Sequence, residues 1–449
     1  MAGYYNRGDP TKKYVEHTSV PEPAGLEVGP APVDILPEVV PPPPPRDKEQ
    51  SKIVYDGDGA FDERPRGILI TRQRLILAII ITIVIVIGAV VGSVVGVLTH
   101  KNSTKGVTLS PPPAANATSS GKVRNDSSIA VTGWRHDNDY SIRLFYQDGD
   151  DYLRISSLES TEGEIWSTGT KFVKAKRNTP IAASCSNISV YDPSKNFMEV
   201  HVFYLDENST LQEFIFKNGD PAGRTGPLNS HNIRAASDSQ LASYWPSVAF
   251  QNSDNSISEV RYNCSTATTD CWTRRDLGIN GSGPSTSLAE VPMHTDLKGL
   301  FLYYQREDEE LVNYQWSRAT DDWSVQQFAQ PIPKGSSVAV VATPRNETTQ
   351  LLNLFVLWQD KSGAMQVSAR KATGWVPPKT NGAFALAANN TDIACLTPYS
   401  SPDTPLQVGP EVIRCFYMGR AGRMRQAQWG SRGWKDLGII VNVSADDLV

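Results

Sequence analysis

Apolar residues are spread unevenly along this 449-residue chain, and their pattern divides it. From Leu75 to Leu98 the sequence reads LILAIIITIVIVIGAVVGSVVGVL, 24 residues without a charge. At about 1.5 Å rise per residue such a helix exceeds the roughly 30 Å hydrocarbon core, which predicts one transmembrane helix over 75–98. Residues 1–74 show no periodicity; twelve prolines fall in the first 70 positions, five of them in the run Pro41 to Pro45. A segment with so little apolar surface cannot offset its ordering entropy, so a disordered tail is expected there. Residues 99–126 are rich in Ser, Thr, Asn and Pro, the composition of a stalk. From 127 to 445 short apolar runs alternate with polar turns, which predicts an all-β domain.

That domain repeats. An apolar, aromatic segment recurs as IRLFYQ ending at Gln147, VHVFYL at Leu205, PSVAFQ at Gln251, LFLYYQ at Gln305, FVLWQ at Gln359 and IRCFYM at Met418. These anchors lie 58, 46, 54, 54 and 59 residues apart. Eleven residues after each comes Leu158, Phe216, Tyr262, Trp316, Arg370 or Trp429, and five units add a later tryptophan: Trp166, Trp272, Trp323, Trp375 and Trp434. A small-residue strand precedes each anchor: Ile129-Ala130, Ile181-Ala182, Ile233 or Leu241-Ala242, Leu288-Ala289, Val338-Ala339 and Ile393-Ala394. Each unit reads as four short strands joined by turns such as Asp148-Gly149-Asp150. Six such units predict a six-bladed β-propeller over 127–445, with the alanine-rich strand on the crowded axis.

Charge and chemistry then fix the orientation. Arg64, Arg66, Arg72 and Arg74 precede the apolar run, whereas only Lys101 and Lys105 follow closely, so the N-terminus is expected in the cytoplasm and the propeller outside or in the secretory lumen. Ten N-x-[ST] sequons, at Asn102, Asn116, Asn125, Asn187, Asn208, Asn263, Asn280, Asn346, Asn389 and Asn442, all follow the run. So do all five cysteines. Cys264 and Cys271 flank a turn between a third and a fourth strand, and Cys395 and Cys415 fall on neighbouring antiparallel strands. This predicts two disulfides and leaves Cys185 a buried thiol, with other pairings still open. Within the run, Gly88, Gly92 and Gly96 share one helix face where a second helix could pack, so a homodimer through that face is also expected.

Composition removes several functions. Lys and Arg total 43 against 48 Asp and Glu, a net charge of −5, so nucleic-acid binding has no electrostatic footing. Six histidines and five cysteines without metal-ligand spacing argue against a metal site, and no phosphate-binding or nucleophile motif appears. No cofactor and no enzymatic activity are expected.

The repeat unit, an I-R-[LVC]-[FY]-[YF]-[QM] strand followed by a turn, a third strand ending in an aromatic residue and a tryptophan, resembles the fungal fucose-specific lectin family of the Aleuria aurantia type. The resemblance implies a six-bladed propeller whose fucose sites lie between adjacent blades. It implies an arginine on the second strand, a glutamate on the third, and aromatic residues from the neighbouring blade. A guanidinium fork donates to sugar oxygens, a carboxylate accepts from hydroxyls, and a ring packs on the apolar C–H face. Here the arginine position, four before the anchor, holds Arg143, His201, Ser247, Phe301, Phe355 and Arg414. The glutamate position, eight after it, holds Ile155, Glu213, Glu259, Asn313, Val367 and Gln426. No unit has both family residues at these positions. The candidate sugar-binding residues are therefore Glu213, His201, Arg143, Glu259, Arg414 and Gln426, with the pair in unit two favoured and units four and five read as blind to fucose. The expected function is a membrane-anchored, fucose-lectin-like propeller that binds glycans at the cell surface or in the secretory lumen. The alternative is a structural or protein-interaction propeller that has lost sugar binding.

Overall fold

The computed structural model describes residues 121–444, apart from 191–196, 218–219, 265–270, 347–348, 408 and 410–411. The predicted tail, the apolar span with its glycine face, and Asn102 and Asn116 lie outside the described residues. Among the described residues no helix is long and apolar enough to cross a membrane.

Six four-stranded sheets follow one another, each an antiparallel meander in which every strand bonds to the next in sequence. The first strands of successive blades pack side by side, and Ile393–Cys395 of blade 6 returns to Ile129–His136 of blade 1, closing the ring. The chain is a six-bladed β-propeller. Blade 3 opens with Leu241–Tyr244, which settles the choice left between Ile233 and Leu241. Ile233 belongs to the preceding connection, where its carbonyl accepts the Leu211 amide at 2.8 Å.

The anchors are the second strands. They are apolar on both faces because blades cover both faces; Ser247–Gln251 and Gly299–Gln305 are buried at every position. Outer strands face water and lose that pattern, as Gly374–Thr380 does. The polar turns after the anchors are built by side chains: Asp206 Oδ1 accepts the amides of Asn208 and Thr210, both at 2.9 Å, and Asp360 Oδ1 those of Ser362 and Ala364 at 2.8 and 3.1 Å.

The glutamine that ends four anchors ties its strand to the connection that leads into the next blade. Gln305 Nε2 donates to the Ile332 carbonyl at 2.9 Å, and its Oε1 accepts the Gly335 amide at 3.1 Å. Gln147 and Gln359 repeat this with Lys176 and Asn178, and with Ala388 and Thr391. A second six-fold signal lies just before each first strand, where Ser127, Thr179, Ser239, Thr286, Ser336 and Thr391 occupy one position. Five of these hydroxyls accept the amide that ends their own blade's anchor strand, as Thr179 does from Leu205 at 2.8 Å. The residue after them links neighbours: the Ser287 hydroxyl accepts the Val338 amide and that of Ser337 the Ile393 amide. Asp392 closes the circle, its Oδ2 accepting the Ile129 amide at 2.7 Å and the Ser128 hydroxyl at 3.0 Å.

Both expected disulfides form, Cys264–Cys271 and Cys395–Cys415, with Cα atoms 4.5 and 4.0 Å apart. Cys185 is free and buried, its sulfur 3.1 Å from the Thr132 hydroxyl, and burial pushes its thiol up to about 12. The second disulfide stands at the base of a long connection that crosses one end of the axial channel. Its residues bond to four other blades: Tyr399 N to Gly133 O, Tyr244 Oη to Pro398 O, Leu406 N to Thr295 O, and Ala342 N to Thr397 Oγ1. The opposite mouth of the channel is a polar funnel of about 660 Å³. Asn125, Asn208, Asn263, Asn280, Asn346 and Asn389 are exposed, and Asn187 and Asn442 are half-buried. The Asn442 amide nitrogen already donates to the Trp166 carbonyl.

Candidate functional site: the crevices between blades

The residues four before and eight after each anchor lie diagonally on one face of adjacent strands, as the pairings His201 with Ile215 and Phe203 with Glu213 require. That face looks at the next blade. Its residue eleven after the anchor and, in every blade but the second, its later tryptophan stand on the far wall of the crevice.

Between blades 2 and 3, His201 and Glu213 meet. The ring Nδ1 is 2.8 Å from Glu213 Oε1, and Nε2 is 3.0 Å from Ser186 Oγ. Glu213 Oε2 also accepts the Leu228 amide at 3.2 Å. Gly226 packs so closely on Glu213 Oε2 that a Cβ there would clash with it. His201 stacks on Trp245 of blade 3 with centroids 4.0 Å apart. Both polar side chains are buried. Beside them opens a cavity of about 190 Å³ bordered by Glu199, Lys217, Trp245 and Tyr262.

Between blades 1 and 2 a cavity of about 220 Å³ is bordered by Trp134, Arg143, Ile155 and Phe216. Arg143 pairs with Glu159 at 2.6 Å and lies 4.9 Å from the Trp134 ring. Between blades 6 and 1, Arg414 and Gln426 come together, with Arg414 Nη1 donating to Gln426 Oε1 at 3.4 Å. Nη2 donates to Tyr140 Oη at 2.9 Å and to Glu164 Oε2 at 3.0 Å, both from blade 1. Trp166 Nε1 donates to Gln426 Oε1 at 3.3 Å.

Between blades 3 and 4, Glu259 finds a guanidinium from an unexpected place. Arg261, two residues on along the same strand, shares its face and pairs with it at 2.8 Å. The guanidinium carbon lies 3.8 Å from the Trp316 ring centroid, and Trp323 Nε1 donates to Glu259 Oε1 at 3.3 Å. Ser247 Oγ stands 3.0 Å from both Glu259 Oε2 and Glu290 Oε1. One hydroxyl has one proton to donate, so a carboxyl must supply the other. Glu290 supplies it: burial first, and the Glu259 charge second, push its carboxyl up to about 8.

The family profile described as fungal fucose-specific lectin matches residues 114–242, which include the His201–Glu213 crevice wall. Over these residues the chain is similar to the fungal fucose-specific lectin family. A fucose-specific lectin of Aspergillus fumigatus is 26% identical over 185 residues, 38% of this chain and 52% of the relative. The chain thus spans about half the length of that curated relative. The six-bladed lectin of Aleuria aurantia superposes with a TM-score of 0.57 at 18% identity, covering 72% of this chain and 99% of that one. A mutant of it in complex with alpha-methyl-L-fucoside gives 0.57 at 19%, covering 73% and 100%. AofleA from Arthrobotrys oligospora gives 0.56 at 16%, covering 71% and 88%. At these identities the structures speak for the fold alone.

Two of the propeller's crevices carry a phenylalanine, Phe301 or Phe355, at the position four before the anchor. Arg370 lies 5.8 Å from the Phe301 ring, and Trp429 packs on Phe355 with centroids 4.4 Å apart. Reading by position missed Arg261, Glu290, Tyr140 and Glu164. Arg261 was within reach of a search for alternation along the third strand, because residues two apart share a face. Tyr140, Glu164 and Glu290 reach their crevices from the neighbouring blade, and no spacing within one unit reports that.

Proposed function

We propose that this chain is a membrane-anchored lectin that binds glycans without chemistry, through crevices between blades. The crevice between blades 2 and 3 carries the reading. It combines open volume, a buried imidazole–carboxylate pair and two aromatic faces from the adjoining blade, which is the mixture a sugar needs. A sugar hydroxyl entering there would exchange with Ser186 for His201. The fucoside complex of the neighbouring Aleuria lectin supports fucosylated glycans as the first ligands to try. The apolar run 75–98 and the sequons beyond it support an anchor with the propeller outside or in the lumen.

The test uses the full chain in detergent micelles, titrated with methyl fucoside and a panel of other monosaccharides, alongside Glu213→Gln. The substitution is expected to weaken binding by about 1.5–3 kcal/mol, the worth of a charge-assisted hydrogen bond. If nothing binds at millimolar sugar, or the substitution changes no affinity, the protein-interaction alternative takes the place of this reading. Protease added to intact cells, with glycosidase digestion of the full chain, tests the orientation; a protected, glycan-free propeller would overturn it.

A further inference from the structure

Blade 2 has a cavity on each of its two faces. Along its third strand, Leu211–Lys217, alternate residues point opposite ways. Glu213 and Ile215 border the cavity of about 190 Å³ shared with blade 3, and Phe216 borders the cavity of about 220 Å³ shared with blade 1. Lys217 borders both. By parity it belongs with Glu213, yet it is the last residue of the strand, where its flexible four-carbon stem spans the edge between the two faces.

The other polar groups around these cavities already hold partners. Arg143 pairs with Glu159 at 2.6 Å, Arg224 with Glu199 at 3.2 Å, and His201 with Glu213 at 2.8 Å. Asp220, the register partner of Lys217, turns its Oδ1 to the Ala222 amide at 3.0 Å. The Lys217 ammonium lies 5.2 Å from the Phe197 ring, and among the described residues no hydrogen bond or ion pair fixes it. Three N–H donors thus stand at the join of two cavities with no protein acceptor.

Size and chemistry point the same way. Ligand pockets usually run to roughly 300–1,000 Å³, and neither cavity reaches that alone. Each also carries half of a sugar-binding set. The blade 2–3 cavity offers a carboxylate, Glu213, against the Trp245 and Tyr262 rings. The blade 1–2 cavity has Ile155 in place of that carboxylate and offers the Arg143 guanidinium against Trp134 and Phe216. We propose that the two crevices flanking blade 2 form one composite site for an oligosaccharide, with one sugar residue in each cavity and Lys217 donating to oxygens where the two residues join. This rests on the reading of the blade 2–3 crevice as a sugar site, and adds to it the length of the ligand and the residue that senses that length.

The test compares two ligands on the full chain in detergent micelles by calorimetry: methyl fucoside, which fills one cavity only, and the trisaccharide fucosyllactose. A second residue tied to the first is captured intramolecularly, so the parent is expected to bind the trisaccharide about tenfold more tightly. Lys217→Met keeps the apolar stem and removes the donors, and Thr170→Trp fills the blade 1–2 cavity from an exposed strand position. Each is expected to bring the ratio of the two affinities to near one with an unchanged thermal melt; should one variant melt early, the other decides. Equal affinities in the parent, or a ratio that survives the substitution, would overturn the proposal and leave the blade 2–3 reading standing. Binding of neither sugar at millimolar concentration would overturn both.

Discussion

Glu290 sits where a carboxylate is costly, on the inner strand of blade 4, sharing the Ser247 hydroxyl with Glu259. With its folded value near 8 and an unfolded value of about 4.3, the folded chain holds a proton that the unfolded chain releases between those limits. The stability this contributes is full below about pH 4.3 and is lost as the pH rises through about 8. Glu290→Gln keeps the shape and removes the titration. Denaturant melts at pH 5, 7 and 9 should show the variant gaining on the parent as the pH rises, with the largest advantage at pH 9. A parent and a variant that lose stability in parallel would contradict this account. The same neighbourhood shows why residue roles are hard to read from position alone. Arg261 takes over the charge that Ser247 lacks, and it does so from the third strand rather than the second.

Elements were more legible than sites. The second strands stand out because blades bury both their faces, which turns an alternating pattern into a continuous apolar one, as in LFLYYQ. Both disulfides followed from strand order, since Cys395 and Cys415 are register partners. The start of blade 3 was ambiguous because Ile233 and Leu241 look alike as apolar residues, and the hydroxyl residue two positions before Leu241 distinguishes them. The recurring glutamine marked the anchors but gave no hint of its partners, which lie in the connection to the next blade. Its role predicts a cost. Gln305→Leu should lower stability by roughly 1–3 kcal/mol, because it strands the Ile332 carbonyl and the Gly335 amide. A urea midpoint within error of the parent would show that the clamp contributes nothing.

At the scale of the ring, closure without a shared strand depends on side chains at the seam. All four strands of blade 6 come from one continuous stretch, so the joint between blades 6 and 1 rests on a shared apolar cluster that includes Leu144, Trp166, Phe416 and Met424, on Asp392, on the Arg414 and Trp166 hydrogen bonds, and on the Val123 amide bonded to the Val443 carbonyl at 3.0 Å. Asp392→Ala removes acceptors for the Ile129 amide and for the Ser128 and Ser337 hydroxyls together. It should cost roughly 2–4 kcal/mol and speed amide exchange at Ile129 more than at Leu288. Equal exchange at both would place the weak joint elsewhere.

The connection that spans the axis between Cys395 and Cys415 has a consequence for traffic. A ring with both ends open lets solvent or a threaded peptide pass straight through, whereas this one has a floor, laid by residues that belong to a single blade yet grip four others. The two ends of the axis are therefore unlike, a polar funnel at one and a crossing segment at the other. The floor also acts as a tie-rod: blades 1, 3, 4 and 5 cannot splay apart without first tearing loose a segment whose two feet are covalently joined.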